Sequence, residues 1–231
     1  MIRLNILSTI LALLIFPRHL QSQEIVLQTS TLDTINPNSM YKYPNFLKGI
    51  LHYKDGSSAA ARFNVNMLLD EVQFINVKGD TLSLTDQGII DNIVIGDRTY
   101  YFSKGAIEVI KSYKPVQLGV NHKIVIKVKN QRGAYGESLE TNSVTDVSVL
   151  ILYNTATSLE VNKNIQLTKV KEYYFVSDKS LILPATKNNL YKVFREHNQK
   201  ALSAYLSDNK INFRKEEDLC RLLSYCEQII Q

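Results

Sequence analysis

A chain of 231 residues with 45% hydrophobic and 21% charged side chains has the make-up of a globular protein and excludes a disordered one. Its 27 Lys and Arg against 22 Asp and Glu give a formal net charge of +5; without the first 22 residues, which hold Arg3 and Arg18, the balance is 25 to 22, or +3. A charge that small argues against nucleic acid or a polybasic membrane surface as partner.

The opening stretch, MIRLNILSTILALLIFPRHLQSQ, places Arg3 before an apolar run from Ile6 to Phe16, then Pro17 and the small residue Ser22. That order predicts a signal peptide over residues 1–22, cleaved near Ser22, and secretion across the inner membrane. The apolar run is short for a bilayer span, so no transmembrane span is expected in the mature chain. An uncleaved anchor helix is the alternative. Cys220 and Cys226 lie six residues apart on one predicted helix, about 9 Å of rise, which is beyond disulfide reach and predicts free thiols. Export without disulfides suits a periplasmic or cell-surface location.

Residues 23–130 read as a β-meander. Asp55-Gly56 separates Ile50–Tyr53 from Ala59–Met67, in which Ala59, Ala61, Phe63, Val65 and Met67 alternate with polar residues. Lys78-Gly79-Asp80 separates Val72–Val77 from Thr81–Thr85, and Gly96-Asp97 separates Ile93–Ile95 from Arg98–Ser103. Over Val116–Lys129 one phase is apolar, with His122 in it, and the other carries Asn121, Lys123, Lys127 and Lys129. Those lysines form either a docking surface for something anionic or the wet, edge-protecting face of a strand.

Residues 131–145 carry two glycines and many polar residues and read as a loop or linker. Over 146–231, VSVLILYN (147–154) predicts a strand buried on both faces. In the next strand Ile165 and Leu167 fall out of phase with Val170, Tyr174 and Val176, which predicts a bulge near Lys169. Leu190, Phe194, His197, Ala201 and Tyr205 then recur at helical spacing, with Asn209 placed for a left-handed C-terminal position. A second helix follows, capped by Asn212, with Glu216, Glu217 and Asp218 in its first turn and an apolar stripe of Leu219, Leu222, Leu223, Cys226, Ile229 and Ile230. Whether 146–231 shares one domain with 23–130 is left open by the pattern. The expected fold is α+β: an antiparallel β-meander or sandwich with a C-terminal helical hairpin.

Chemistry is sparse. His52, His122 and His197 lie in separate elements with no i, i+4 partner, and no Cys-x-x-Cys pair, Gly-x-Ser-x-Gly elbow or phosphate loop is present, so no cofactor is expected. A small outer-membrane barrel conflicts with the helical end and with strands before Val116 that are shorter than the roughly 9 to 11 residues that lipid requires. Asp70 and Glu71 are neighbours whose side chains point to opposite faces of an extended segment, which suits turn residues better than a catalytic pair. Asp70, Asp80 and Asp97, with Asp86 and Asp91, fall in predicted loops where a hard cation could find oxygens, but no calcium-loop spacing is met. Tyr101 and Tyr174, within the runs Tyr100–Phe102 and Tyr173–Phe175, are either stacking platforms or core.

Two segments, YPNFLKGILHYKDGSSAAARFNVNMLLDEVQFINVKGDTLSL and KNNLYKVFREHNQKALSAYLSDNKINFRKEEDLCRLLSYC, resemble a group of uncharacterised exported proteins of Bacteroidota-type Gram-negative bacteria. The resemblance implies a periplasmic or surface location and assigns no role to any residue. The leading expectation is a non-enzymatic envelope protein that binds a protein partner or ligand through its sheet face or C-terminal helices. The alternatives are a glycan or peptide hydrolase using loop carboxylates such as Asp70 and Asp80, and a lipid or lipoprotein sensor with an apolar cavity beneath the helices.

Overall fold

Turn chemistry positions the strands. Gly56 holds φ at +87°, which a residue with a Cβ resists, and the Asp55 carboxylate accepts the Ser57 amide at 2.8 Å. The computed structural model describes residues 27–29, 37–129, 164–177, 181–194 and 199–230. Its strands are β1 (Leu27–Thr29), β2 (Leu47–Tyr53), β3 (Ser58–Asn66), β4 (Glu71–Ile75), β5 (Thr81–Ser83), β6 (Ile90–Ile95), β7 (Arg98–Ser103), β8 (Gly105–Ser112), β9 (Val116–Lys129), β10 (Asn164–Ser177) and β11 (Ile182–Pro184). Three helices follow: α1 (Lys187–Val193), α2 (Gln199–Asp208) and α3 (Glu216–Gln228).

All described strands join one antiparallel sheet in the order β1-β10-β9-β8-β7-β6-β2-β3-β4-β5, with β11 added along β10. The chain is therefore an α+β protein with an antiparallel meander and C-terminal helices. β9 and β10 pair from Lys129↔Asn164 to Val116↔Ser177, so strands from either side of residues 131–145 share the sheet.

Five strand steps separate β4 from β8, about 24 Å in a flat sheet. Yet β4 touches β8, and the Ile124 amide of β9 donates to the Met67 carbonyl at the tip of the β3–β4 hairpin at 2.8 Å. The sheet must therefore curl until that tip reaches β9. Directly paired residues share a face, so the row Leu51, Ile93, Tyr100, Glu108, Val120, Tyr173 marks the inner face across β2, β6, β7, β8, β9 and β10. The outer face carries Tyr101, Ile107, Asn121 and Glu172.

Two apolar clusters occupy the inner side. One gathers Leu51, Phe63, Val65, Val72, Ile93, Ile95 and Tyr100 inside the curl. The other packs the helices onto β9 and β10: Leu190, Phe194, Leu202, Leu219, Leu222 and Leu223 meet Val116, Leu118, Val120 and Phe175. Each of those six helical side chains is at most 1% exposed, and burial of a Leu or Phe contributes on the order of 2 kcal/mol. The stripe of α3 is thus consumed by the protein's own sheet.

Four local expectations are corrected. The helical period through Leu190–Tyr205 spans two helices: α1 ends at Phe194 (φ −100°, ψ 24°), whose carbonyl is taken by the Gln199 side chain at 2.5 Å. No bulge occurs near Lys169; β10 keeps one register throughout, and the lost phase arises because Tyr173, Tyr174, Phe175 and Val176 are all buried, two on each face. Asn209 does not take a left-handed conformation, since among the described residues Asp70 alone, apart from glycines, has a positive φ; its carboxamide instead donates to the Tyr205 carbonyl at 2.9 Å. The cap position of α3 is Lys215, and Asn212 serves the turn before it by accepting the Arg214 amide at 2.9 Å. Cys220 and Cys226 are free thiols, and burial pushes the Cys226 pKa up to about 12. Among the described residues no helix is long and apolar enough to cross a membrane. The predicted leader (1–22), the loop (131–145), the strand at 147–154 and His197 lie outside the described residues.

Candidate functional site

Three polar assemblies are built onto this frame. The first fastens the β3–β4 tip to the outer face. Asn66 Oδ1 accepts the amides of Leu68 and Leu69, each at 3.1 Å, and the turn ends with Asp70 at φ +55°, a conformation Asp tolerates better than most residues. The Asp70 carboxylate accepts the buried Asn121 carboxamide at 2.9 Å and lies 3.2 Å from Lys123 Nζ, which is also 3.0 Å from Glu172; Tyr174 donates to Glu172 at 3.2 Å. Burial pushes the Asp70 pKa above its ordinary 3.8 despite Asn121 and Lys123. Burial also works against the Lys123 ammonium, but Glu172 and Asp70 outweigh it and raise its pKa above 10.5.

The second assembly sits on the inner face. Glu108, 7% exposed at its side chain, pairs with Lys42, with His122 Nε2 at 3.3 Å and with Arg98 Nε at 3.7 Å. Lys42 Nζ also lies 5.4 Å from the Tyr100 ring centre, and the Tyr100 and Tyr43 hydroxyls are 2.6 Å apart. Burial alone would raise the Glu108 pKa, but hydrogen bonds from His122 and Lys42 and their charges overcome it and hold it at about 2. For Lys42 burial wins, and its pKa falls below 10.5.

The third assembly is a shaped depression. Residues 40–43 continue the pairing of β2 along β3, with Tyr41 bridged to Asn66, but between that bridge and Leu47↔Phe63 one chain advances six residues and the other three. The surplus bulges outward at Pro44–Phe46, as extra residues in a ladder must. Asn64 holds the bulge from below: its carboxamide accepts the Tyr43 amide at 3.1 Å and donates to the Tyr43 carbonyl at 2.9 Å. Tyr41 donates to Gln73 at 2.6 Å and its ring meets the Phe46 ring at 5.4 Å between centres, while Arg62 Nε donates to the Phe46 carbonyl at 3.1 Å. Tyr41, Arg62, Asn64, Ile75 and the Pro44–Phe46 bulge line a shallow depression of about 390 Å³.

The structure brings Asp70, Lys123 and Tyr174 together. Asp80 is elsewhere: it closes the β4–β5 turn with Asn76, at the opposite end of β4 from Asp70, so the two acids do not converge. Asp97 is a turn residue 3.4 Å from Arg98. Tyr174 is buried with Ile107 and Val176, and Tyr101 packs against them half-buried beside Ile182. Lys127 and Lys129 lie on β9, Lys127 opposite Gln166 and Lys129 opposite Asn164.

Chemically, the first two assemblies are ion-pair networks whose acids and bases are occupied with one another. Among the described residues no group of three or more His, Cys, Asp or Glu side chains could hold a metal ion. Sequence reasoning missed the Glu108 network and the depression. Glu108 and His122, polar residues in apolar phases, were the available signals for the first, and Pro44 at the head of a strand was the signal for the second. Comparison with protein-family models, with curated proteins and with solved structures returned no match.

Proposed function

We propose that the chain is a non-enzymatic binding module of the cell envelope that recognises a ligand or partner at the outer sheet face, in the depression beside the Pro44–Phe46 bulge. The observation that carries this reading is that the lining of the depression is fixed in advance: Gln73 holds Tyr41, the Phe46 carbonyl holds Arg62, and Asn64 holds the Tyr43 backbone that leads into the bulge. A preformed site binds without first ordering its own side chains. The C-terminal helices are the weaker binding surface, because Leu219, Leu222, Leu223 and Cys226 are fully buried against the sheet. The same filled interface works against a lipid chamber beneath the helices. A hydrolytic reading finds little support in Asp70 and Asp80, which lie at opposite ends of β4, Asp70 paired with Lys123 and Asp80 with Asn76. The periplasmic or surface location belongs to the same proposal and rests on the reading of residues 1–22.

The test compares the tagged full chain with its Phe46→Ala variant, both checked for unchanged thermal unfolding, as baits in the envelope fraction of the native host. A partner recovered by the parent and lost from the variant supports the reading. Equal recovery, or no specific recovery, overturns it.

A further inference from the structure

We infer that the depression takes small organic oxyanions, a carboxylate or phosphate held by Arg62 of its lining, with Lys48 beside Arg62 across the ladder, and carried on a flat apolar body that lies against Tyr41 and Phe46. This rests on the proposal that the depression is a binding surface and adds the chemistry of what it binds. Lys48 and Arg62 are register partners in the β2–β3 ladder, both exposed on the outer face. Like charges directly opposite one another destabilise a sheet. Neither has a carboxylate partner among the described residues, as is true of other exposed lysines such as Lys54 and Lys78, but these two stand directly opposite each other. An anion between them turns a repulsive pair into an attractive one.

Arg62 is also prepared for the role. Its Nε is fixed to the Phe46 carbonyl, so the rest of the guanidinium is oriented before an anion arrives. The tilted Tyr41 and Phe46 rings, 59° between planes, offer apolar area to the body of such a ligand. Burial, with a smaller part from the Glu71 charge, raises the Tyr41 pKa, and Glu71 is itself hydrogen-bonded by Gln73 at 2.7 Å and Ser83 at 2.6 Å.

The test is a titration of the full chain followed by NMR signals of Tyr41, Phe46 and Arg62. The probes are N-acetylphenylalanine, its uncharged amide, phenyl phosphate and inorganic phosphate. Shifts at all three residues with N-acetylphenylalanine or phenyl phosphate are expected, with one acid preferred if carboxylate and phosphate sources differ. The amide and inorganic phosphate should bind more weakly. Arg62→Gln should weaken the charged probes about threefold to fivefold more than it weakens the amide, the scale of an exposed ion pair. If the amide binds as tightly as the acid, or Arg62→Gln changes nothing, the anion inference fails while the depression stands as a binding surface. If no probe moves these signals, the inference is overturned, and the capture experiment with Phe46→Ala decides separately whether the depression binds a protein.

Discussion

The carboxylate of Asp70 lies directly against Gly105, so that a Cβ built at position 105 would overlap it. Gly105 also holds φ at +95° as it turns β7 into β8. Two hairpin tips, one closing β3–β4 and the other closing β7–β8, meet at this contact.

Gly105→Ala is expected to lower stability by about 2 to 4 kcal/mol, the sum of a strained φ and an overpacked contact. Urea unfolding measures the loss. In an Asp70→Gly background the same substitution should cost less, because only the backbone component remains; an equal loss in both backgrounds would show that the contact contributes nothing.

Asp70→Asn should be tolerated, with a stability change within about 1 kcal/mol, because Asn suits a positive φ and still accepts the Asn121 carboxamide. The raised Asp70 pKa fixes the sign of its pH effect. The folded state holds the proton more tightly than the unfolded one, so this group's contribution is fully present below the unfolded pKa and is lost as pH rises through the folded pKa. Comparing parent and variant unfolding between pH 3 and 7 (on the order of the carboxylate range) should show Asp70→Asn gaining ground as pH rises.

Glu108 behaves oppositely. Its pKa is lowered from 4.5 to about 2, so its contribution is present above the unfolded value and lost as pH falls through about 2. The shift corresponds to about 3 kcal/mol, and the net for the network is smaller because burial works against the Lys42 charge. Glu108→Gln should destabilise by roughly 3 kcal/mol at neutral pH and flatten the acid limb of the stability curve. An unchanged acid limb would refute the assignment.

Asn64→Ala removes the carboxamide that holds both backbone groups of Tyr43. A cost of about 1 to 3 kcal/mol is expected, with the Pro44–Phe46 amides losing hydrogen-exchange protection before the rest of the sheet. Uniform loss of protection would mean that the bulge is not held locally.

Much of the fold was readable because its signals are local. Asp55-Gly56, Lys78-Gly79-Asp80 and Gly96-Asp97 fix turns within a few residues, and the two phases of Val116–Lys129 are visible in the string itself. β8 was not separated because Glu108 interrupts its apolar run and a register shift between Val109 and Lys111 blurs its period. The split of α1 from α2 was hidden because Leu190, Phe194, Ala201 and Tyr205 keep helical spacing across it. The site was harder still. Arg98, Glu108 and His122 are neighbours on one face of β7, β8 and β9, but Lys42 runs along β3 and reaches them only because the sheet curls, which no spacing along the chain encodes.

The docking of the β3–β4 tip onto β9 divides two turns that look alike as strings. The turn ending at Asp70 is a closure point: Met67 and Asp70 each hold a partner more than fifty residues away, so added length there would unseat the far side of the sheet. Among the described residues the Lys78-Gly79-Asp80 turn is tied only to Asn76, and Val77 beside it is fully exposed. One hairpin end is thus a keystone and the other a free tip, and a tag, a label or an inserted loop belongs on the second.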